Sequence, residues 1–142
     1  MTPYVVLAVT LAAASAFGLA WRRRNGRLRA EPASSGSRVD SADLAAWGGR
    51  LGERATLVQF SSAFCAPCRA TRRILGEVAD LVDGVVHVEV DAEAHLDAVR
   101  RLHILRTPTT LVLDAAGRIV VRASGQPRKA DVVAALGRVG PG

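Results

Sequence analysis

The chain has 142 residues and a net charge of +6, enough length for one domain of ordinary size with a tail. Six arginines and one acid lie in residues 22–38, a charge of +5, whereas residues 39–142 are nearly neutral at +1. A near-neutral domain argues against nucleic acid as the main partner, because nucleic-acid-binding domains usually have a basic surface.

The first 21 residues predict one transmembrane helix. Thr2–Trp21 contains no charged side chain, and 20 helical residues span about 30 Å, the thickness of a bilayer core. A cleaved signal peptide is the alternative, but its positive charges would precede the apolar run, and here Arg22, Arg23 and Arg24 follow it. These arginines predict an outside N-terminus and a cytoplasmic domain, with the domain outside the cytoplasm as the alternative.

Residues 22–38 are predicted to be a basic juxtamembrane segment and flexible linker. Glycine, serine and proline are frequent there and apolar residues are few, which is typical of a linker. The arginines are expected to face anionic lipid headgroups.

Residues 39–142 are predicted to form one α/β domain from alternating strand-like and helix-like runs. In chain order these are a helix starting near Asp40, a strand at 55–61, a helix at 66–82, a strand at 85–91, a helix at 93–103, strands at 111–113 and 119–123 joined by a turn at 114–117, and a helix at 129–138. In the helix at 93–103, Leu96, Val99 and Leu102 are expected to face inward.

The two cysteines of the chain, Cys65 and Cys68, have C-x-x-C spacing at the start of a predicted helix. Unpaired N–H groups and the helix dipole favour a thiolate there, and Pro67 suits the first turn. A structural disulfide closing so short a loop would stabilise the fold weakly. A zinc site needs four ligands, and here there is one cysteine pair. The three histidines are not at close metal-ligand spacing to each other, so we expect redox chemistry and no metal.

Four segments together resemble the thioredoxin family over about residues 39–138. They are Phe60-x-x-x-Phe64-Cys65-Ala66-Pro67-Cys68, Thr107-Pro108-Thr109, the strand Val88–Asp91 ending in aspartate, and Gly125 after the last strand. The combination of C-x-x-C with Thr-Pro is specific, whereas either motif alone would be a weak signal.

The resemblance implies a thioredoxin-like fold, a central mixed β-sheet flanked by helices, preceded here by the N-terminal transmembrane helix. It implies that Cys65 is the nucleophile and Cys68 the resolving cysteine. A cis-Pro108 and the backbone of Thr107 would bind an extended substrate, together with Phe64, Ala66 and Pro67. The implied partners are a disulfide-bearing protein and a reductase or other electron donor. We expect a monomer with no cofactor beyond the redox-active disulfide, since no G-x-G-x-x-G nucleotide motif follows a strand.

Three residues near the cysteines depart from the family pattern and are expected to alter the reactivity of the pair. The family's buried carboxylate is replaced by Gln59, its partner lysine by His87, and its tryptophan before the first cysteine by Phe64. Glutamine cannot accept a proton at neutral pH, so the proton of Cys68 would move through water or His87. Arg69 is expected either to stabilise the thiolate and steer a partner, or to be an ordinary solvated side chain.

The sequence therefore predicts a membrane-tethered thiol–disulfide oxidoreductase acting on protein disulfides. A cytoplasmic domain would favour the reductive direction, because that compartment keeps thiols reduced. The alternative is a binding module without turnover, either a thiol-based metal carrier or a peptide-binding chaperone.

Overall fold

A five-stranded mixed sheet organises the computed structural model, which describes residues 2–32 and 36–140. The helices are α1 (Thr2–Arg24), α2 (Ser41–Ala46), α3 (Ala66–Leu81), α4 (Leu96–Arg101) and α5 (Lys129–Arg138). The strands are β1 (Leu28–Ala30), β2 (Ala55–Ser61), β3 (Val85–Asp91), β4 (Thr109–Asp114) and β5 (Ile119–Ser124). The α/β architecture predicted for residues 39–142 is present.

The strands lie in the order β1-β5-β4-β2-β3, with β2 and β3 parallel and every other pair antiparallel. Ser61 therefore pairs with Asp91 at one end of the sheet, where Thr109 pairs with Ser124. We call this the Ser61 end. At the opposite end of the strands, the chain turns after Asp114, and we call this the Asp114 end.

Every residue of β2 is buried, because helices cover both faces of the sheet. Successive side chains of a strand point to opposite faces, so Leu57 and Val58 enter different cores. One core lies beneath α2 and α4 and includes Leu44, Val58, Phe60, Val88, Leu102 and Leu111. The other lies beneath α3 and α5 and includes Leu57, Leu75, Val78, Val112, Val132 and Leu136. This two-sided packing explains the nearly continuous apolar runs of β2 and β4.

The helix predicted at 93–103 is shorter than expected, since α4 has only six residues. Leu96 is 53% exposed, so its prediction as an inward residue is wrong, whereas Ala98 and Leu102 are buried. Two helical residues correspond to about 200° of rotation, which turns Leu96 away from the face of Ala98. His103, with a φ of +53°, follows the helix where the chain turns.

The segment predicted as a flexible linker is largely part of the fold, which corrects that prediction. Helix α1 continues through Arg24, and β1 then adds an antiparallel edge strand to β5. The Gly26 amide donates to the Ser124 carbonyl at 2.8 Å, and the Glu31 amide donates to the Val120 carbonyl at 3.0 Å. The edge of β5 offers unpaired N–H and C=O groups, and the linker residues satisfy them. Residues 33–35 lie outside the described part of the chain.

Helix α1 has 23 residues and is long and apolar enough to cross a membrane. It is the one candidate membrane span among the described residues, although a signal sequence at the N-terminus would meet the same criteria. None of its residues is buried, so it does not pack against the sheet or the other helices.

Gly26→Ala is expected to loosen β1 from the sheet. Gly26 has a φ of +75°, and an added Cβ would lie 1.8 Å from the Gln126 carbonyl oxygen, so the backbone must move. A local cost of about 1–3 kcal/mol predicts amide hydrogen exchange of Leu28–Ala30 accelerated by roughly tenfold or more. Gly76→Ala is the control, since its added Cβ would meet nothing within 4 Å. Unchanged exchange in Gly26→Ala would contradict the docking of β1.

Candidate active site

The two cysteines lie at the Ser61 end of the sheet, where the chain passes from β2 into α3. They form a disulfide with an S–S distance of 2.17 Å and a Cα–Cα distance of 5.2 Å. Cys65 is half-buried, whereas Cys68 is only 2% exposed. Cys65 is therefore the more accessible of the two cysteines, and its role as nucleophile stays a prediction.

Cys65 is the N-cap of α3, with an extended backbone at φ −101° and ψ 100°. Its Sγ accepts a hydrogen bond from the Cys68 amide at 3.2 Å. Pro67 is in the first turn, where its missing N–H leaves no donor unsatisfied, and its carbonyl accepts from the Thr71 hydroxyl at 2.8 Å. An N–H group and the positive end of a 16-residue helix thus face one sulfur, and both favour negative charge on it.

The loop containing Thr107 and Pro108 lies at the same end of the sheet. The Thr107–Pro108 peptide is cis, as predicted, and the Pro108 carbonyl accepts from the Gly125 amide at 2.7 Å. The Ser62 and Thr107 hydroxyls lie 2.7 Å apart, within hydrogen-bond distance. Sequence analysis missed Ser62, and its only signal was a hydroxyl residue close to the cysteine motif.

The predicted substrate-contacting residues differ in their exposure. Phe64 is fully exposed with a φ of +56°, and Ala66 and Pro67 are exposed beside it. Thr107 is half-buried and Pro108 is buried. Their contact with substrate stays a prediction.

Arg69 lies on the first turn of α3 with an exposed side chain. Its amide donates to the Cys65 carbonyl at 3.3 Å, so its backbone belongs to the turn that presents the sulfur. Its proposed effect on the thiolate or on a partner stays a prediction.

Gln59 lies fully buried beneath the cysteines and contacts His87, which brings together the two positions that depart from the family pattern. Its amide nitrogen donates to the Cys68 carbonyl at 2.8 Å and to the Ser61 hydroxyl at 2.9 Å. Its oxygen must therefore accept, and it lies 3.1 Å from His87 Nε2. We infer that Nε2 of His87 carries the proton in this contact, because the amide oxygen has none to give.

Burial of the imidazole lowers the pKa of His87 from its ordinary value of 6.5. The Glu89 carboxylate raises that pKa by less, and the positive charge of Arg72 lowers it again. Arg72 holds Glu89 through two hydrogen bonds of 2.5 and 2.6 Å, which neutralise part of the carboxylate's attraction. His87 is therefore neutral at pH 7, and Gln59 fixes the backbone of Cys68 rather than taking its proton.

Folding stability is expected to fall in acid because of His87. With a folded pKa below 6.5, the unfolded state binds more protons, so stability is lost as pH falls from above 6.5 through the folded pKa. Urea unfolding of the full chain between pH 7.5 and 5 would measure the loss, and His87→Gln is expected to lose less. His103→Asn is the matched control, since His103 is exposed and asparagine tolerates a positive φ. Equal pH slopes for wild type and His87→Gln would contradict the assignment.

Within residues 2–32 and 36–140, no group of three or more histidine, cysteine, aspartate or glutamate side chains is arranged to hold a metal ion. The expectation of a site without a metal or other cofactor stays a prediction.

The sequence profile of the Thioredoxin family matches residues 44–138, from α2 to the end of α5. The chain belongs to the thioredoxin family. The predicted fold is confirmed. A thioredoxin-family chain with its C-x-x-C pair joined as a disulfide is a thiol–disulfide oxidoreductase, as the sequence predicted.

One human relative, Thioredoxin domain-containing protein 2, is 38% identical over 58 residues, or 41% of this chain. The chain spans only about a tenth of that protein's length, since the match covers 10% of it.

Three solved structures show the same thioredoxin fold. The thioredoxin pre-protein of Schistosoma mansoni has a TM-score of 0.54 and 20% identity, covering 62% of this chain and 81% of that one. Chloroplastic thioredoxin z has a TM-score of 0.56 and 27% identity, with 61% and 79% covered. Thioredoxin NaTrxh of Nicotiana alata has a TM-score of 0.55 and 21% identity, with 61% and 74% covered.

Proposed function

We propose that this thioredoxin is tethered to a membrane and reduces or exchanges disulfides in other proteins through Cys65 and Cys68. The observation that supports this most directly is the asymmetry of the pair. Cys65, the more accessible cysteine, lies at a helix N-terminus, and its sulfur accepts a hydrogen bond from the Cys68 amide. Cys68 itself is buried.

In the reductive direction, the Cys65 thiolate attacks one sulfur of a substrate disulfide. The second substrate sulfur leaves as a thiolate and takes a proton from water. The Cys68 thiolate then attacks Cys65 Sγ and displaces the first substrate sulfur. Two electrons have passed to the substrate, and the Cys65–Cys68 disulfide is reduced again by a dithiol of a reductase or other electron donor.

The substrate would lie across Phe64, Ala66 and Pro67 on one side and the Thr107–Pro108 loop on the other. The Ser62–Thr107 hydroxyl contact holds the two sides at a fixed separation. Exposed apolar side chains such as Phe64 suit an extended peptide better than a small polar disulfide.

The tether would be residues 2–21, inserted as a single span with the domain in the cytoplasm. The length and hydropathy of α1 and the arginines at its end support this arrangement. Carbonate-resistant sedimentation of the full chain with membranes would support the tether, and protease protection of the domain in sealed right-side-out vesicles would support its orientation. A domain digested in those vesicles would lie outside the cytoplasm and be supplied by a different electron donor.

The activity is tested with the full chain in lipid vesicles and a protein disulfide as substrate, with dithiothreitol as electron donor. We expect catalysed reduction that requires both cysteines. Absence of turnover, together with metal retention by the reduced thiols, would overturn the proposal in favour of a binding module.

A further inference from the structure

Helix α1 enters the domain at the same end of the sheet as the redox pair. β1 is antiparallel to β5, with Leu28 opposite Ala123, so the chain from α1 arrives at the Ser61 end. β2 also ends there and leads directly to Cys65. The opposite end, with the β4–β5 turn at Ala115, is the most distant from α1.

Hydrogen bonds hold the end of α1 against the active-site loops. The Arg106 guanidinium donates to Asn25 Oδ1 at 2.5 Å and to the Ser124 carbonyl at 2.7 Å. The Gly26 amide donates to the same carbonyl at 2.8 Å. Arg106 is two residues before Pro108, so the end of α1 and the cis-proline loop share one network. The domain therefore has a preferred orientation relative to α1.

The strand order sets the separation of α1 from the cysteines. β1 and β2 are three strand spacings apart, so Cys65 lies roughly 15 Å to the side of the point where α1 joins the sheet. Because no residue of α1 is buried, the helix leaves the domain rather than folding back along it. A bilayer around α1 would begin next to the Ser61 end.

Two exposed apolar side chains lie at this end. Among the described residues outside α1, Phe64 is fully exposed and Leu105 is 94% exposed, more than any other large apolar side chain. Phe64 precedes Cys65, and Leu105 precedes Arg106. We call Phe64, Cys65, Leu105 and Thr107 the redox face.

Basic side chains surround the end of α1. A cleft of about 430 Å³ beside β1 is lined by five arginines, from residues 22–38 and from the domain. One acid, Glu31, also lines the cleft and forms an ion pair with Arg122. Its arginines are Arg24, Arg27, Arg29, Arg106 and Arg122. Such a cluster next to a bilayer is attracted to anionic headgroups, which would hold the domain close to the surface.

We propose that the redox face is turned toward the membrane and that its substrate is a disulfide of a membrane-embedded protein, held close to the bilayer surface. This inference rests on the proposed tethered oxidoreductase and narrows its substrate class. The electron transfer is the exchange described above. The bilayer would keep bulky soluble proteins away from Cys65, while a cysteine pair at the headgroup level would meet it directly.

The test uses the full chain in phosphatidylcholine–phosphatidylglycerol vesicles and two disulfide peptides, each anchored to a lipid. One has a spacer of about 10 Å and the other of about 60 Å, so both are confined to the same surface. We expect the short-spacer peptide to be reduced at least several times faster. Arg106→Ala, which removes the side-chain hydrogen bonds of Arg106 to Asn25 and Ser124, is expected to reduce that ratio toward one, and Gly76→Ala to leave it unchanged.

Orientation is measured separately by quenching of tryptophan with brominated lipids. In a chain with Trp21 and Trp47 replaced by phenylalanine, Phe64→Trp is expected to be quenched and Ala115→Trp not. Quenching at both positions or at neither would overturn the orientation.

The outcomes separate the two proposals. A chain that does not bind vesicles overturns the tether and this inference together. A vesicle-bound chain that reduces neither peptide overturns the oxidoreductase proposal. A chain that reduces both peptides equally, or prefers the long spacer, overturns only the membrane-facing orientation.

Discussion

Cys65→Ser is expected to abolish disulfide exchange, whereas Cys68→Ser is expected to trap substrates. Serine at position 65 removes the accessible sulfur, so the rate falls to that of the uncatalysed reaction, a loss of roughly three orders of magnitude or more. Serine at position 68 leaves the attack intact but removes the buried sulfur that releases the mixed disulfide. Reduction of a protein disulfide by the full chain, followed with time, measures the first effect.

Non-reducing gels measure the second effect, because a mixed disulfide with Cys68→Ser migrates as a covalent complex. Dithiothreitol reduces this disulfide and separates the two proteins. The double variant, with serine at both positions, is the control and should form no complex. An active Cys65→Ser protein would overturn the assignment of Cys65 as nucleophile, and trapping by Cys65→Ser instead of Cys68→Ser would exchange the two roles.

Phe60→Ala is expected to destabilise the folded domain strongly. Phe60 is fully buried on β2 and packs edge-on against Trp47, with ring centroids 5.8 Å apart. Truncation leaves a large cavity and costs about 3–5 kcal/mol of unfolding free energy. Since small domains have only about 5–15 kcal/mol in total, much of the population would unfold at moderate urea concentrations.

Phe64→Ala is the matched control, with the same change four residues later on a fully exposed side chain. It should leave the urea midpoint nearly unchanged while reducing activity toward peptides if Phe64 contacts substrate. Similar midpoints for the two variants would contradict the burial of Phe60 in the core.

The sequence predicted the elements whose signals are local. The strands β2 and β4 are apolar runs because both faces of the sheet are covered, and an apolar run is visible without knowing its neighbours. β3 was visible from its four valines, which are interrupted by polar residues. The C-x-x-C motif and the proline in the first turn were also visible, because their chemistry depends on spacing along the chain. The cis peptide at Pro108 was predicted by resemblance to the thioredoxin family.

The features that sequence analysis missed depend on partners far along the chain. β1 has three residues and an arginine at its centre, and nothing but its pairing with β5 makes it a strand. The Ser62–Thr107 contact joins positions 45 residues apart. The placement of Gln59 and His87 was predicted by resemblance, but the hydrogen bonds of the amide to Cys68 and Ser61 required the folded structure.

The pairing of β1 with β5 has a practical consequence for preparing a truncated, water-soluble fragment. A version cut at residue 38, the natural choice if the preceding segment were a disordered spacer, would discard an edge strand. The bare edge of β5 would then be free to pair with another copy, a known route to aggregation. A fragment beginning at Asn25 would retain that protection and the attachment to Arg106.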